Sequence, residues 1–196
     1  MIKVAITGSI AMGKSTIVKM LIAKGYPVFD SDQVVQDLWK NTNVFFQQVK
    51  TQFPDCFEEN KVHKKKLTQL IFSDIEAKKT LEKLTHPFVF SELEKFTKNH
   101  IDQGKKILFY DIPLLFEVKE ESSFDIVIVV SCDKNIQVQR MLDRGLEKEL
   151  CMKIIHSQMD DNKKRDKADF VIYTNDGMSS TKRQLEEVLF HIENKK

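Results

Sequence analysis

Five short runs of β-branched and aromatic residues recur along the chain, at Ile2–Ile6, Tyr26–Phe29, Ile107–Asp111, Asp125–Val130 and Asp169–Tyr173, with helical stretches between them. That alternation predicts an α/β fold with a mostly parallel sheet. The runs are apolar throughout rather than alternating, as in strands covered by helices on both faces. The clearest 3.6-residue period lies near the C-terminus, where Leu185, Val188, Leu189 and Ile192 mark a helix that packs on the sheet. Between the second and third runs the chain is far longer than one crossover helix needs. It reads there as helices over roughly 32–40, 43–52, 64–72, 74–84 and 87–103. Pro54 and Glu58-Glu59-Asn60-Lys61 mark a loop inside this insertion, and Val89, Leu93 and Phe96 form an apolar stripe on its last helix. A charged stretch, Arg144 to Lys167, separates the fourth and fifth strands.

Composition narrows the class. A length of 196 residues fits one domain with an inserted subdomain, and 41% hydrophobic with 31% charged residues supports a buried core rather than disorder. Lys plus Arg total 31 against 29 Asp plus Glu, so a net charge of +2 provides no field to hold a polyanion, and no nucleic-acid partner is expected. The N-terminus enters a short apolar run without a cleavage site, and no 18-residue apolar stretch occurs, which reads as a soluble, unexported protein with no membrane partner. Cys56, Cys132 and Cys151 lie far apart without Cys-x-x-Cys or paired-His spacing; they read as reduced thiols in a cytoplasmic protein rather than zinc ligands. The six glycines, at 8, 13, 25, 104, 145 and 177, each mark a place where the backbone has a special task.

Gly8-Ser9-Ile10-Ala11-Met12-Gly13-Lys14-Ser15 matches G-x-x-x-x-G-K-S/T directly after the first strand run and before a helix, with Thr16 following. In such a loop backbone N–H groups surround phosphate oxygens, Lys14 reaches the β- and γ-phosphates, Ser15 offers a hydroxyl to Mg²⁺, and the helix N-terminus adds its positive end. Asp30-Ser31-Asp32 closes the second strand run, at the carboxyl end where open α/β sheets place ligands; a carboxylate there serves a substrate hydroxyl or caps the next helix. Asp111 ends the third run, where it either completes a Mg²⁺ shell or is a strand-end turn residue. After Pro113, Leu114-Leu115-Phe116 reads as core or as an apolar substrate wall, and Glu117 as solvated surface or a second polar contact. Arg140 and Arg144 are four apart on one helix face, placed either to clamp phosphoryl charge or to face solvent. Lys163, Lys164 and Arg165 read as a solvated charge run. His86 precedes Pro87 where one helix ends and the next begins, and the other four histidines have no ligand spacing.

Together these residues resemble the dephospho-CoA kinase family over nearly the whole chain. The loop at 8–15, Asp30-Ser31-Asp32, His86-Pro87, Asp111-Ile112-Pro113-Leu114-Leu115-Phe116-Glu117, Gln139-Arg140 with Arg144, Gln158, and Ala168-Asp169-Phe170-Val171-Ile172 with Asn175 and Gly177 appear in the family's order and spacing. The Pro-Leu-Leu-Phe-Glu segment is the most specific of these. Ser9, Ala11 and Met12 stand where the family's loop usually has smaller residues, and Asp-Ser-Asp replaces Asp-Ala-Asp. The resemblance implies a P-loop NTPase fold: a five-stranded parallel sheet covered by helices, with a core at 1–31, 105–139 and 168–196, a helical CoA-side insertion at 32–104, and a mobile lid at 140–167. It further implies ATP- and Mg²⁺-dependent phosphorylation of the ribose 3′-hydroxyl of dephospho-CoA. By that similarity Asp32 meets the attacking hydroxyl, and residues from Ser9 to Thr16 hold the nucleotide. Ser15 and Asp111 serve the metal. Arg140 is a lid contact to ATP, with Asn175 and Gly177 near the adenine. His86, Leu114, Phe116 and Arg144 face dephospho-CoA.

Three other readings share parts of this pattern. A nucleoside or nucleotide kinase would keep Lys14, Ser15, a strand-end Asp and lid arginines, and differ only in its acceptor pocket. A GTPase switch predicts a guanine-reading Asn-Lys-x-Asp, which the sequence lacks. A non-catalytic nucleotide sensor would tolerate loss of Asp32.

Overall fold

A computed structural model describes residues 1–41, 43–58 and 61–195. In chain order the elements are β1 (Ile2–Thr7), α1 (Lys14–Ala23), β2 (Val28–Asp30), α2 (Ser31–Asn41), α3 (Asn43–Gln52), β3 (Phe57–Glu58), β4 (Lys61–Val62), α4 (Lys64–Ser73), α5 (Ile75–Asp102), β5 (Ile107–Asp111), β6 (Ile126–Ser131), α6 (Lys134–Asp143), α7 (Lys148–Ser157), α8 (Asp161–Asp166), β7 (Phe170–Tyr173) and α9 (Gly177–Glu193). The chain divides into two compact units, Met1–Asp30 with His100–Lys196, and Ser31–Asn99.

The first unit holds a five-stranded sheet of order β2-β5-β1-β6-β7, parallel throughout. Its strands are apolar on both faces because both are covered. Val4, Ile6, Ile126, Ile128 and Val130 pack with Ile17 and Leu21 of α1 and Leu185, Val188, Leu189 and Ile192 of α9. From the other face Ala5, Val127 and Val129 meet Leu115, Phe116, Met159 and Ala168. Asp125 and Asp169 stand just before β6 and β7 rather than within them. Their carboxylates accept from the N–H groups of Lys3 and Val127 at 2.7 Å each, which ties together the strand starts. Gly25, at φ +84°, closes α1. Its N–H bonds Ile22 O and that of Tyr26 bonds Leu21 O, a Schellman turn that sends the chain back into β2.

The second unit is helical around Leu38, Phe45, Val49, Phe53, Cys56, Leu67 and Ala77. Its structure departs from the sequence pattern twice. The loop expected at 58–61 carries a short antiparallel pair, Phe57 opposite Val62 and Glu58 opposite Lys61, while Glu59 and Asn60 of that expected loop lie outside the described residues. The helices expected at 74–84 and 87–103 are one 28-residue helix, α5, with Pro87 inside it. Proline removes one ladder bond and disfavours the helix locally. Leu81 and Leu84 before it and Phe88 after it all pack on the same core, and that shared burial carries the helix through.

Among the described residues no helix is long and apolar enough to cross a membrane. The three cysteines are free and buried.

Candidate active site

The phosphate loop leaves β1 at Gly8 and enters α1 after Gly13. A Cβ on Gly8 would lie 2.5 Å from Val130 O, a backbone atom of the central sheet, so only glycine lets the loop start this close to β6. Ala11 takes φ +61°, a left-handed conformation that an L-residue other than glycine rarely adopts. The larger side chain of Met12 turns behind the loop. It is 3% exposed, and its Sδ accepts from Cys132 N–H at 3.2 Å. Burial pushes the Cys132 thiol up, which keeps that sulfur in its neutral form.

The outward carbonyls of the loop are each held from behind. Gln137 Nε2 donates to Ile10 O at 2.9 Å, Arg140 Nη1 to Ala11 O at 3.3 Å, and Thr174 Oγ1 to Met12 O at 2.8 Å. Gln158 Oε1 accepts from Ile10 N–H at 3.0 Å. With these carbonyls turned out, the first-turn N–H groups of Lys14 and Ser15, which no helical carbonyl can satisfy, open the helix toward an anion. Lys14 Nζ forms an ion pair with Asp111, whose carboxylate is almost buried. The register that pairs β2 with β5 sets Asp30 directly beside Asp111.

Gly8→Ala is expected to destabilise the fold by roughly 1–3 kcal/mol, because the new methyl meets fixed backbone. Gly145→Ala, at φ +84° with open space around it, should cost no more than about 1–2 kcal/mol of backbone strain. Thermal unfolding of the two variants checks this. Only Gly8→Ala should also lose affinity for a fluorescent ATP analogue, and a Gly8→Ala protein that binds it normally would contradict the steric argument.

The other residues singled out from the sequence divide. Arg140 and Arg144 have different surroundings: Arg140 turns inward to Ala11 O, Thr174 Oγ1 and Thr174 O, whereas Arg144 is the exposed C-cap of α6. Arg144 is the last residue before the chain turns at Gly145, φ +84°. Asn175 exchanges two hydrogen bonds with Asp133, at 2.8 and 3.1 Å, and so joins the end of β7 to the start of α6. Gly177 opens α9. Phe116 is 2% exposed and belongs to the core, while Leu114 is 39% exposed. Thr16 N–H bonds Gly13 O in the first turn of α1, and Ser9, within the loop, is buried. In the second unit, Asp32 occupies the first turn of α2, two residues beyond Asp30, and His86 is an exposed residue of α5 with its ring edge on Phe90.

Residues 140–167 form the end of α6, α7 and α8. Met141, Leu142, Leu146, Cys151, Ile154 and Ile155 pack on Ile10 and Ala11, so this stretch encloses the outer side of the loop. Sequence reasoning missed Gln137, Thr174 and Lys164. The first two are single polar residues whose value lies in which carbonyl they reach. Lys164 sits in what reads as a solvated charge run and is 0% exposed.

A parallel sheet of this order with a phosphate loop after its central strand and a carboxylate ending the neighbouring strand defines a P-loop kinase. Residues 2–180 match the model of the dephospho-CoA kinase family, and the chain belongs to that family. It is 40% identical over 190 residues to a dephospho-CoA kinase of Bartonella henselae, covering 96% of this chain and 95% of the relative, and 38% identical over 187 residues to that of Bartonella quintana, covering 95% of each. Among solved structures, a Thermus thermophilus protein superposes with a TM-score of 0.86 at 30% identity over 100% of this chain and 98% of its own. The dephospho-CoA kinase of Campylobacter jejuni gives 0.69 at 27% identity, covering 97% of this chain and 96% of its own. Shikimate kinase from Bacteroides thetaiotaomicron, at 13% identity and a TM-score of 0.56, shares the fold alone.

Proposed function

We propose that the protein transfers the γ-phosphate of ATP to the ribose 3′-hydroxyl of dephospho-CoA, giving coenzyme A and ADP. The observation that carries the reading is the family match over residues 2–180, which takes in the phosphate loop, Asp111 and the Pro-Leu-Leu-Phe-Glu segment together. Three free, buried thiols accord with a reducing, cytoplasmic setting.

Catalysis of this kind rests on positioning and charge neutralisation. Lys14 leaves Asp111 for the β- and γ-phosphates, and the N–H groups opening α1 receive phosphate oxygens. Gln137, Arg140 and Thr174 keep the loop carbonyls turned away, so that the phosphates meet donors only. Arg140 therefore acts on the nucleotide side through Ala11 and Thr174. Asp32 accepts the proton of, or aligns, the attacking hydroxyl, with His86 and Leu114 on the acceptor side. Asn175 and Gly177 border the adenine, and Arg144 reaches the acceptor from the stretch at 140–167, which excludes water when it closes.

Mg²⁺ fits this site as a nucleotide-borne ion. Among the described residues there is no group of three or more His, Cys, Asp or Glu side chains to hold it, whereas Mg²⁺ commonly takes one or two protein oxygens and fills its shell from phosphates and water. Ser15 and Asp111 would hold it there, and it would supply charge neutralisation to the transferring group.

A coupled ADP-release assay tests the whole reading. Release should require both dephospho-CoA and Mg²⁺, with nucleosides and nucleoside monophosphates inert as acceptors. Activity confined to the latter two would make the protein a nucleoside or nucleotide kinase instead.

A further inference from the structure

Glu117 and Lys164 form the one ion pair here whose lysine side chain is 0% exposed among the described residues, with Nζ 2.8 Å from Glu117 Oε1. The same Oε1 accepts from Met159 N–H at 2.9 Å. One carboxylate oxygen therefore grips both ends of a short stretch, Met159 to Lys164. That stretch begins immediately after Gln158, whose side chain accepts from Ile10 N–H in the phosphate loop. Within it Asp161 accepts from Ser131 Oγ at 2.6 Å, at the end of β6.

A buried ion pair is seldom the most stabilising choice. Desolvation cancels much of its attraction, and an apolar pair of similar volume is often as stable. What the pair supplies is a single register. An apolar contact between Phe116, Met159 and Ala168 can slide, whereas the Met159 N–H bond to Glu117 Oε1 is directional, and the enclosed Lys164 ammonium, in ion-pair contact without hydrogen-bond geometry, is held beside it by charge. That register decides whether Gln158 arrives opposite Ile10 N–H. Gln137 holds the carbonyl of the same residue, so the two glutamines set the orientation of the loop at Ile10 from both sides.

We propose that Glu117 and Lys164 are a positioning pair for phosphoryl transfer: they place Gln158 on the phosphate loop and so link the segment beyond Asp111 to the loop that receives ATP. The proposal rests on reading residues 8–15 as the nucleotide site. It assigns the last residue of the Pro-Leu-Leu-Phe-Glu segment to the nucleotide side, through the protein interior, rather than to the acceptor.

The test compares Glu117→Gln/Lys164→Met, which removes both charges at similar volume, with Gln158→Leu. Each is measured for thermal midpoint, for the dissociation constant of a fluorescent ATP analogue, and for kcat and KM. Both variants should weaken ATP binding about tenfold, as loss of one well-made hydrogen bond gives, and raise KM for ATP more than they lower kcat. Combining all three substitutions should weaken it no further, because both routes act through Ile10 N–H. Gln158→Leu leaves the ion pair intact and should lower the thermal midpoint only by the loss of one hydrogen bond, so it decides the matter if the charge-removed pair fails to fold. Normal ATP affinity in Gln158→Leu, or additive losses in the combined variant, would overturn the proposal. Lys14→Met serves as the reference: unchanged analogue binding there would refute the nucleotide site itself and not the pair.

Discussion

Asp32→Asn is expected to lower kcat for dephospho-CoA phosphorylation by about 10²–10⁴-fold, the range that a positioned acid–base group supplies. Binding of ATP should be unchanged. The amide keeps the size of the side chain and one oxygen, so the hydroxyl can still be hydrogen-bonded but its proton has no acceptor of comparable strength. The local chain supports the assignment. Asp30 ends β2 beside Asp111, Ser31 begins α2, and Asp32 lies in the first turn of that helix, where its positive end favours a carboxylate. Single-turnover kinetics with saturating substrates isolate the chemical step, and equilibrium titration reports binding. A variant with near-normal single-turnover rate would move the acceptor-side role to another residue, with Asp32 left as a first-turn helix stabiliser.

Lys14→Met should do two separable things. Transfer should fall by about 10²–10³-fold or more, the loss seen when one preorganised donor to developing charge is removed. Stability should fall as well, because Asp111 is only 5% exposed and loses its cation. Breaking a buried pair from one side typically costs roughly 3–5 kcal/mol. Lys14→Met/Asp111→Asn should then regain most of the thermal midpoint while remaining inactive. That contrast distinguishes a structural lysine from a functional one. A single variant that keeps activity would contradict the phosphate-loop reading, and a double variant that regains no stability would mean that the ion pair contributes little to the fold.

The same pair joins two neighbouring strands. Lys14 and Asp111 satisfy one another across the carboxyl ends of β1 and β5, so neither charge is buried alone. On the proposed reading, a bound polyphosphate would exchange one anionic partner of Lys14 for another.

Much of this was legible along the chain. Continuous apolar runs specify strands covered on both faces, and the spacing of Gly8, Gly13, Lys14 and Ser15 specifies a phosphate loop, because both depend on local geometry repeated over neighbouring residues. The C-terminal helix followed for the same reason, with all four of its periodic residues buried against α1 and the sheet. Pro87 shows the limit of local signals. Its ring predicts a break, but Leu81, Leu84 and Phe88 bury against one core, and the loss of one hydrogen bond does not outweigh that.

Lys163, Lys164 and Arg165 show a second limit, since three adjacent basic residues read alike until their partners are known. Lys164 is enclosed, and its partner Glu117 lies 47 positions earlier by the numbering. Arg140 and Arg144 share a helical phase, yet only Arg140 finds the carbonyls of Ala11 and Thr174. By itself the sequence determined the parallel sheet, the phosphate loop and the family, each written in short-range pattern. Only the tertiary structure decided which charges are buried and which polar side chains hold the loop, because desolvation and hydrogen bonding depend on partners that are distant in sequence.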